Sequence, residues 1–164
     1  MNTVMSKEKL EKLLDRAVRE VTEQAVGVRL YQSKEPLGNN LCSIHILFTK
    51  GFHTGVSLCA ETSLLSRMAC DVLEKPCVTH QELEDVSKEY FNILCGKIAA
   101  FLFQKTKVAA RFGIPSFFRG IYVPDGRQTH FVLSYVNDQG EGSQLIHYIP
   151  DNKSLTEPGN VGTV

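Results

Sequence analysis

Between residues 83 and 101 the apolar positions fall on one side of a helical wheel. Leu83, Tyr90, Leu94, Ile98 and Phe101 recur at the spacing of a core-facing stripe. The other side is polar: Asp85, Glu89 and Asn92, followed by Gly96, at steps of four, three and four residues. Thr79-x-x-Glu82 just upstream is a capping box, so the pattern predicts one long helix from His80 to about Gln104.

The same reasoning places other elements along the chain. Leu10, Leu13, Leu14, Ala17, Val18 and Val21 have helical spacing, with Ser6 as N-cap and Gly27 as the stop, predicting a helix over 6–26. A strand follows at Val28–Gln32, then a loop through Pro36 and Gly38. The runs Cys42–Thr49 and Thr54–Ala60, broken near Gly51, predict a hairpin. Glu61–Leu73 reads as a short amphipathic helix that ends before Pro76. The last third is rich in β-branched and aromatic residues and predicts strands at Val108–Phe112, Phe117–Val123, Thr129–Val136 and Gln144–Ile149. Both halves therefore run from helix to strands, which suggests a degenerate duplication. A single domain over 1–150 is expected, with 151–164, which holds Pro158, Gly159 and Gly162, as a flexible tail.

Charge and composition narrow the classes of partner. Lys plus Arg and Asp plus Glu both number 18, so no basic field exists to hold nucleic acid or an anionic membrane. No apolar run approaches the ~20 residues of a membrane helix, and the polar N-terminus lacks a signal-peptide core, so a cytoplasmic location is expected. The five cysteines form no Cys-x-x-Cys pair, and the five histidines lie singly along the chain. Reduced thiols and no structural metal are the expectation; Cys42, Cys59 and Cys95 read as small core residues. Phe112, Phe117 and Phe118 read as core or dimer surface rather than as a ligand pocket. The sequence offers no case for a small-molecule pocket.

The polar stripe carries the candidate chemistry. Glu89 and Asn92, at i and i+3, have side-chain origins about 5–6 Å apart. A carboxylate seeks a cation; a carboxamide is neutral and both donates and accepts. Near a phosphoryl group that neutrality matters, because an amide can hold an attacking water without being repelled, as a glutamine does in GTPases. The same residue types are also the ordinary make-up of a solvated helix face. Gly96 in mid-helix costs ~1 kcal/mol relative to alanine, which calls for either a packing reason or a close approach by something else.

Asp85-x3-Glu89-x2-Asn92, then 22 residues, then Pro115, resembles the signature of the CheC/CheX/FliY chemotaxis phosphatases. Gly96 suits the CheX pattern, and Ile114–Gly120 is similar to the proline-containing segment that follows it. The resemblance extends over residues 6–150. CheC-type chains carry two Glu-x-x-Asn helices, whereas this chain has one. The stretch taken as equivalent in the first half, Glu61–Asp71, has no asparagine. The resemblance is therefore to CheX rather than CheC. It implies an α+β, CheC-like fold, with long helices on mostly antiparallel β-structure in two pseudo-related halves. It also implies hydrolysis of the aspartyl phosphate of a CheY-like receiver domain. By position, Asn92 would orient the attacking water and Glu89 would pair with the receiver's lysine. Asp85, Gly96 and Pro115 would support or dock. Mg²⁺ would belong to the receiver and no cofactor to this chain, which would form a homodimer. The alternative on the same scaffold is a non-catalytic domain that binds a receiver or a flagellar-switch protein.

Overall fold

The computed structural model describes residues 5–151. The expected C-terminal tail, apart from its first residue, lies outside them, as do residues 1–4. Helix α1 (Lys7–Val26) starts at Ser6, whose side chain accepts from the Lys9 backbone N–H, and ends at Gly27 in the left-handed conformation. Strands β1 (Tyr31–Gln32), β2 (Leu41–Lys50) and β3 (Gly55–Glu61) follow, then α2 (Thr62–Leu73) and α3 (His80–Thr106). The described residues end with β4 (Arg111–Phe112), β5 (Ser116–Arg119), β6 (Arg127–Val136) and β7 (Gly142–Pro150). The Thr79–Glu82 capping box is formed in both directions, and α3 runs two residues past Gln104 before Lys107 closes it.

The strands form one antiparallel sheet in the order β1-β6-β7-β3-β2-β4, with β5 also paired to β2. Exchanging β1, β2, β3 with β5, β6, β7 reproduces the order β1-β6-β7-β3-β2-β5 read backwards. The two halves are thus related by a pseudo-two-fold relation at the β3–β7 pair, where Leu58 lies opposite Leu145. The same relation pairs α1 with α3, and it corrects the first-half counterpart of the polar stripe. That counterpart lies on α1, not on 61–71. Helix α1 contains no asparagine, so the stripe is still single.

Helices α1, α2 and α3 lie on one face of the sheet. Ile44, Ile46, Val56, Leu58 and Leu145 meet Leu14, Val18, Leu94 and Ile98 in the main core. The alternate residues of β2 and β3, Ser43, His45, Ser57 and Cys59, face the other way, as the two-residue period requires. There Cys59, Ile146 and Tyr148 form a second small cluster with Leu37 and Leu41.

Three strands are shorter than the apolar runs suggested. Val28 and Leu30 are buried, but ladder pairing with β6 begins only at Tyr31 opposite Val136. Of the run at 108–112, only Arg111–Phe112 pairs with β2. Strand β5 stops at Gly120, whose φ of 86° turns the chain back over the far face. Ser43 holds that turn, donating to the Gly120 carbonyl at 2.7 Å and accepting from the Tyr122 N–H at 3.2 Å. The aromatics divide accordingly. Phe112 and Phe117 pack on the main core, while Phe118 stacks on Tyr122 at 4.0 Å on the far face.

His45 is buried and bonded to Ser57 at 2.6 Å, with Tyr122 and Tyr148 against its ring. Burial, and then the Arg127 guanidinium, push its pKa down from 6.5 to about 4. As pH falls through that interval the unfolded chain takes up a proton that the folded chain refuses, so stability is lost toward acid. The loss is on the order of 1–3 kcal/mol after allowance for solvent screening. His147, which burial and then His130 push down to about 3, adds a loss of the same sign. Thermal melts at steps from pH 7 to pH 4 should show both, and His45→Gln should make that part of the profile shallower without abolishing it.

Candidate functional site

The polar stripe stands on a helix whose inner side is locked. Leu94, Cys95, Ile98 and Phe91 are fully buried, and Tyr90 is nearly so. The Tyr90 hydroxyl bonds to Thr22 on α1 at 2.6 Å, and Thr22 Oγ1 also donates to the Val18 carbonyl. Burial pushes the Tyr90 phenol up to about 12, so it remains protonated and serves to bolt α1 to α3. Cys95 is likewise raised by burial and offers no nucleophile at the surface.

On the outer side Asp85, Glu89 and Asn92 are all exposed. Asp85 is held by its own helix, accepting from Gln81 Nε2 at 2.8 Å. Glu84 pairs with Lys88 at 3.0 Å, Glu82 with Lys75, and Lys97 with Glu20 at 3.8 Å. Among the described residues, Glu89 is the one charged side chain on α3 between Glu82 and Lys97 without a hydrogen bond or ion pair. Asn92 has no side-chain partner either. An unpartnered carboxylate and an unpartnered amide one turn apart, on a backbone that cannot yield, are a preorganised pair of contacts for another molecule.

Gly96 supplies an independent observation. A Cβ built on it meets nothing within 4 Å, so no packing inside this chain requires a glycine there. It lines a groove of about 440 Å³ between α1 and α3, with Ala25, Ile93 and Ala100. Ile93, beside Asn92, is 44% exposed. Sequence reasoning passed over Ile93; its one signal was an apolar side chain next to the polar stripe. Gly96→Ala should therefore raise the melting temperature by roughly 2–4 °C, the shift expected from ~1 kcal/mol in a domain of this size. A surface that needs close approach should then bind its partner more weakly, which a melt and a binding titration on the same sample will separate.

Pro115 is not on this face. It is half-buried in the turn between β4 and β5, at the sheet edge formed on β2. The far end of β5 does reach α3, where the Arg119 guanidinium bonds His80 Nδ1 at 2.6 Å. The Ile114–Gly120 segment thus touches the start of the site helix and leaves Glu89 and Asn92 uncovered.

This architecture, a pseudo-symmetric antiparallel sheet carrying a long exposed helix, is that of the CheX, CheC-like and FliY proteins. A chemotaxis CheX from Desulfovibrio desulfuricans superposes with a TM-score of 0.68 at 16% identity, covering 85% of this chain and 97% of that one. CheX from Vibrio vulnificus gives a TM-score of 0.69 at 13% identity, over 88% and 99% of the two chains. A CheX solved as a CheX–CheY–BeF3–Mg²⁺ complex from Borrelia burgdorferi gives 0.66 at 10% identity, over 85% and 96%. At these identities the likeness is one of fold. No protein-family profile matches the chain, and no curated protein matches it in sequence. Among the described residues no helix is long and apolar enough to cross a membrane.

Proposed function

We propose that this chain is a phosphatase for the aspartyl phosphate of a CheY-like receiver domain, with Asn92 and Glu89 as the working pair. The observation that carries the reading is the exposed, unpartnered Glu89–Asn92 pair on the rigid outer face of α3. The CheX–CheY complex among the structures of this fold supports a receiver as the partner.

The chemistry asked of this chain is small. A receiver that holds its own Mg²⁺ and lysine already neutralises the charge that develops on the phosphoryl oxygens. What is missing is a water held in line with the phosphorus. The Asn92 amide oxygen accepts from that water and its amide nitrogen remains free to donate, and neither repels the phosphoryl group. Glu89, one turn earlier, pairs with the receiver's lysine and sets the register of docking. Asp85, tied to Gln81, stiffens the first turns, and Gly96 lets the partner approach the groove. Pro115 supports the sheet edge below the helix. The fold tolerates loss of activity, so the claim rests on these two side chains and not on the architecture.

The receiver partner places the chain in the cytoplasm, in chemotaxis or a related two-component pathway. A homodimer through the β-structure belongs to the same reading. Ile114, Ile121 and Val123, at 88, 69 and 68% exposed around β5, are the apolar surface that supports it. The deciding experiment follows the decay of a phosphorylated receiver with and without the chain. Shortened decay supports the phosphatase; stable association with unchanged decay would make this a non-catalytic receiver-binding domain instead.

A further inference from the structure

The histidines that lie singly along the sequence do not all lie singly in the fold. His130 on β6 and His147 on β7 face each other with their Nδ1 atoms 3.0 Å apart. A β-bulge brings this about. Thr129 pairs with Tyr148 and Phe131 with His147, so His130 is an extra residue without a ladder partner. Bulges re-aim a side chain and are kept where that aim matters.

The far side of His147 is also organised. Thr54 has one hydroxyl proton, and the Tyr148 carbonyl, which can only accept, takes it. The Thr54 oxygen therefore accepts from His147 Nε2–H, at 2.6 Å. That assigns the tautomer: with the proton on Nε2, His147 presents a lone pair at Nδ1. Phe131 and Phe52 stack on the ring at 4.9 and 5.6 Å and hold its plane. A histidine oriented through its outer N–H, with the other nitrogen bare, is the arrangement that metal-ligating histidines show.

Both rings line a cavity of about 520 Å³ at the end of the molecule where α3 finishes, walled by Leu10, Leu102 and Ile149, and His53 lines it as well. The sequence offers no case for a pocket, yet this cavity is present, away from the Glu89–Asn92 face.

We propose that His130 and His147 form a binding site for a transition-metal dication of the Zn²⁺ class, held through their facing Nδ1 atoms. Zn–N bonds of about 2.0–2.1 Å in a tetrahedral site separate two nitrogens by about 3.3 Å, so the pair must open by a few tenths of an ångström. Both rings must also turn in their planes so that the lone pairs, now aimed at each other, converge on a point beside them. On binding, the proton on His130 Nδ1 moves to its Nε2 through solvent, and both ligands enter neutral. Among the described residues no three His, Cys, Asp or Glu side chains converge. The protein thus supplies two donors, and the remaining positions open into the cavity for water or a donor from a small molecule. Imidazole donors favour this class over Mg²⁺ or Ca²⁺, which take oxygen.

The test is a calorimetric Zn²⁺ titration of the tag-free, reduced chain carrying Cys77→Ser, which removes an exposed competing thiol. One ion per chain is expected, with affinity falling ~10-fold or more in His130→Ala, a substitution at a half-exposed bulge. Mg²⁺ should not compete. Should that variant misfold, ¹⁵N spectra of the histidine rings decide: Zn²⁺ must move both Nδ1 resonances together. Absence of saturable binding, equal affinity in a folded His130→Ala, or Nδ1 resonances that ignore Zn²⁺ would each overturn the site and leave a simple hydrogen-bonded pair.

Discussion

Asn92→Ala is expected to slow the chain-dependent decay of a phosphorylated receiver by about 100-fold or more, while leaving folding and receiver binding nearly untouched. The magnitude is that of removing one preorganised polar group from a transition state whose other stabilising parts remain. Stability should hold because the side chain is exposed, makes no hydrogen bond within the described residues, and gives way to a better helix former. The separation of effects is the point of the experiment. A positioned water contributes to the chemical step and little to encounter, so kcat should fall with KM almost constant. Asn92→Asp sharpens the result: the shape is kept, but a carboxylate now faces phosphoryl oxygens, and activity should fall as far as in alanine. If Asn92→Ala turns over phosphoreceiver at the parent rate, the role assigned to this amide is wrong, whatever the fold.

The reach of the sequence differed between elements for physical reasons. Helix α3 could be read almost to the residue because its capping box, apolar stripe and length all agree, and local signals of that kind need no tertiary context. The hairpin β2–β3 was equally legible. Strand β5 was overrun because apolar and β-branched residues lie on both sides of Arg119–Gly120, in Phe117–Phe118 and Ile121–Val123, and nothing local shows that Gly120 turns left-handed under the Ser43 hydroxyl. The internal duplication could be suspected from element order, but its true correspondence, α1 with α3, depends on strand pairing that no local pattern encodes. At the site, exposure of Glu89 and Asn92 followed from the helical period alone. What could not be read was their lack of partners. Glu84, Asp85 and Lys97 lie on the same helix and look alike in sequence, yet each is engaged, by Lys88, Gln81 and Glu20. The meeting of His130 and His147 was invisible too, because it depends on a one-residue bulge.

Glu89→Lys should produce the other large effect, and of a different kind. In the free chain Glu89 is exposed and unpaired, so its replacement costs the fold little. On docking it would lose water against a receiver lysine, and cutting one partner from such a desolvated pair costs about 2–5 kcal/mol. Reversing the charge adds repulsion to the loss, so kcat/KM should drop by roughly 30-fold at least, with KM carrying most of it. Lys88 and Glu84 pair with each other nearby and leave no free carboxylate on α3 to take over the role. Ionic strength supplies a second readout, since the parent's association should slow as salt rises, while the Glu89→Lys chain should lose that slope or invert it. Glu89→Gln, neutral and nearly isosteric, should fall between the two. Decay curves for Glu89→Lys with the parent's KM and salt dependence would remove the carboxylate from the docking surface, and Asn92 would then have to find its register through the Ile93–Gly96 groove alone.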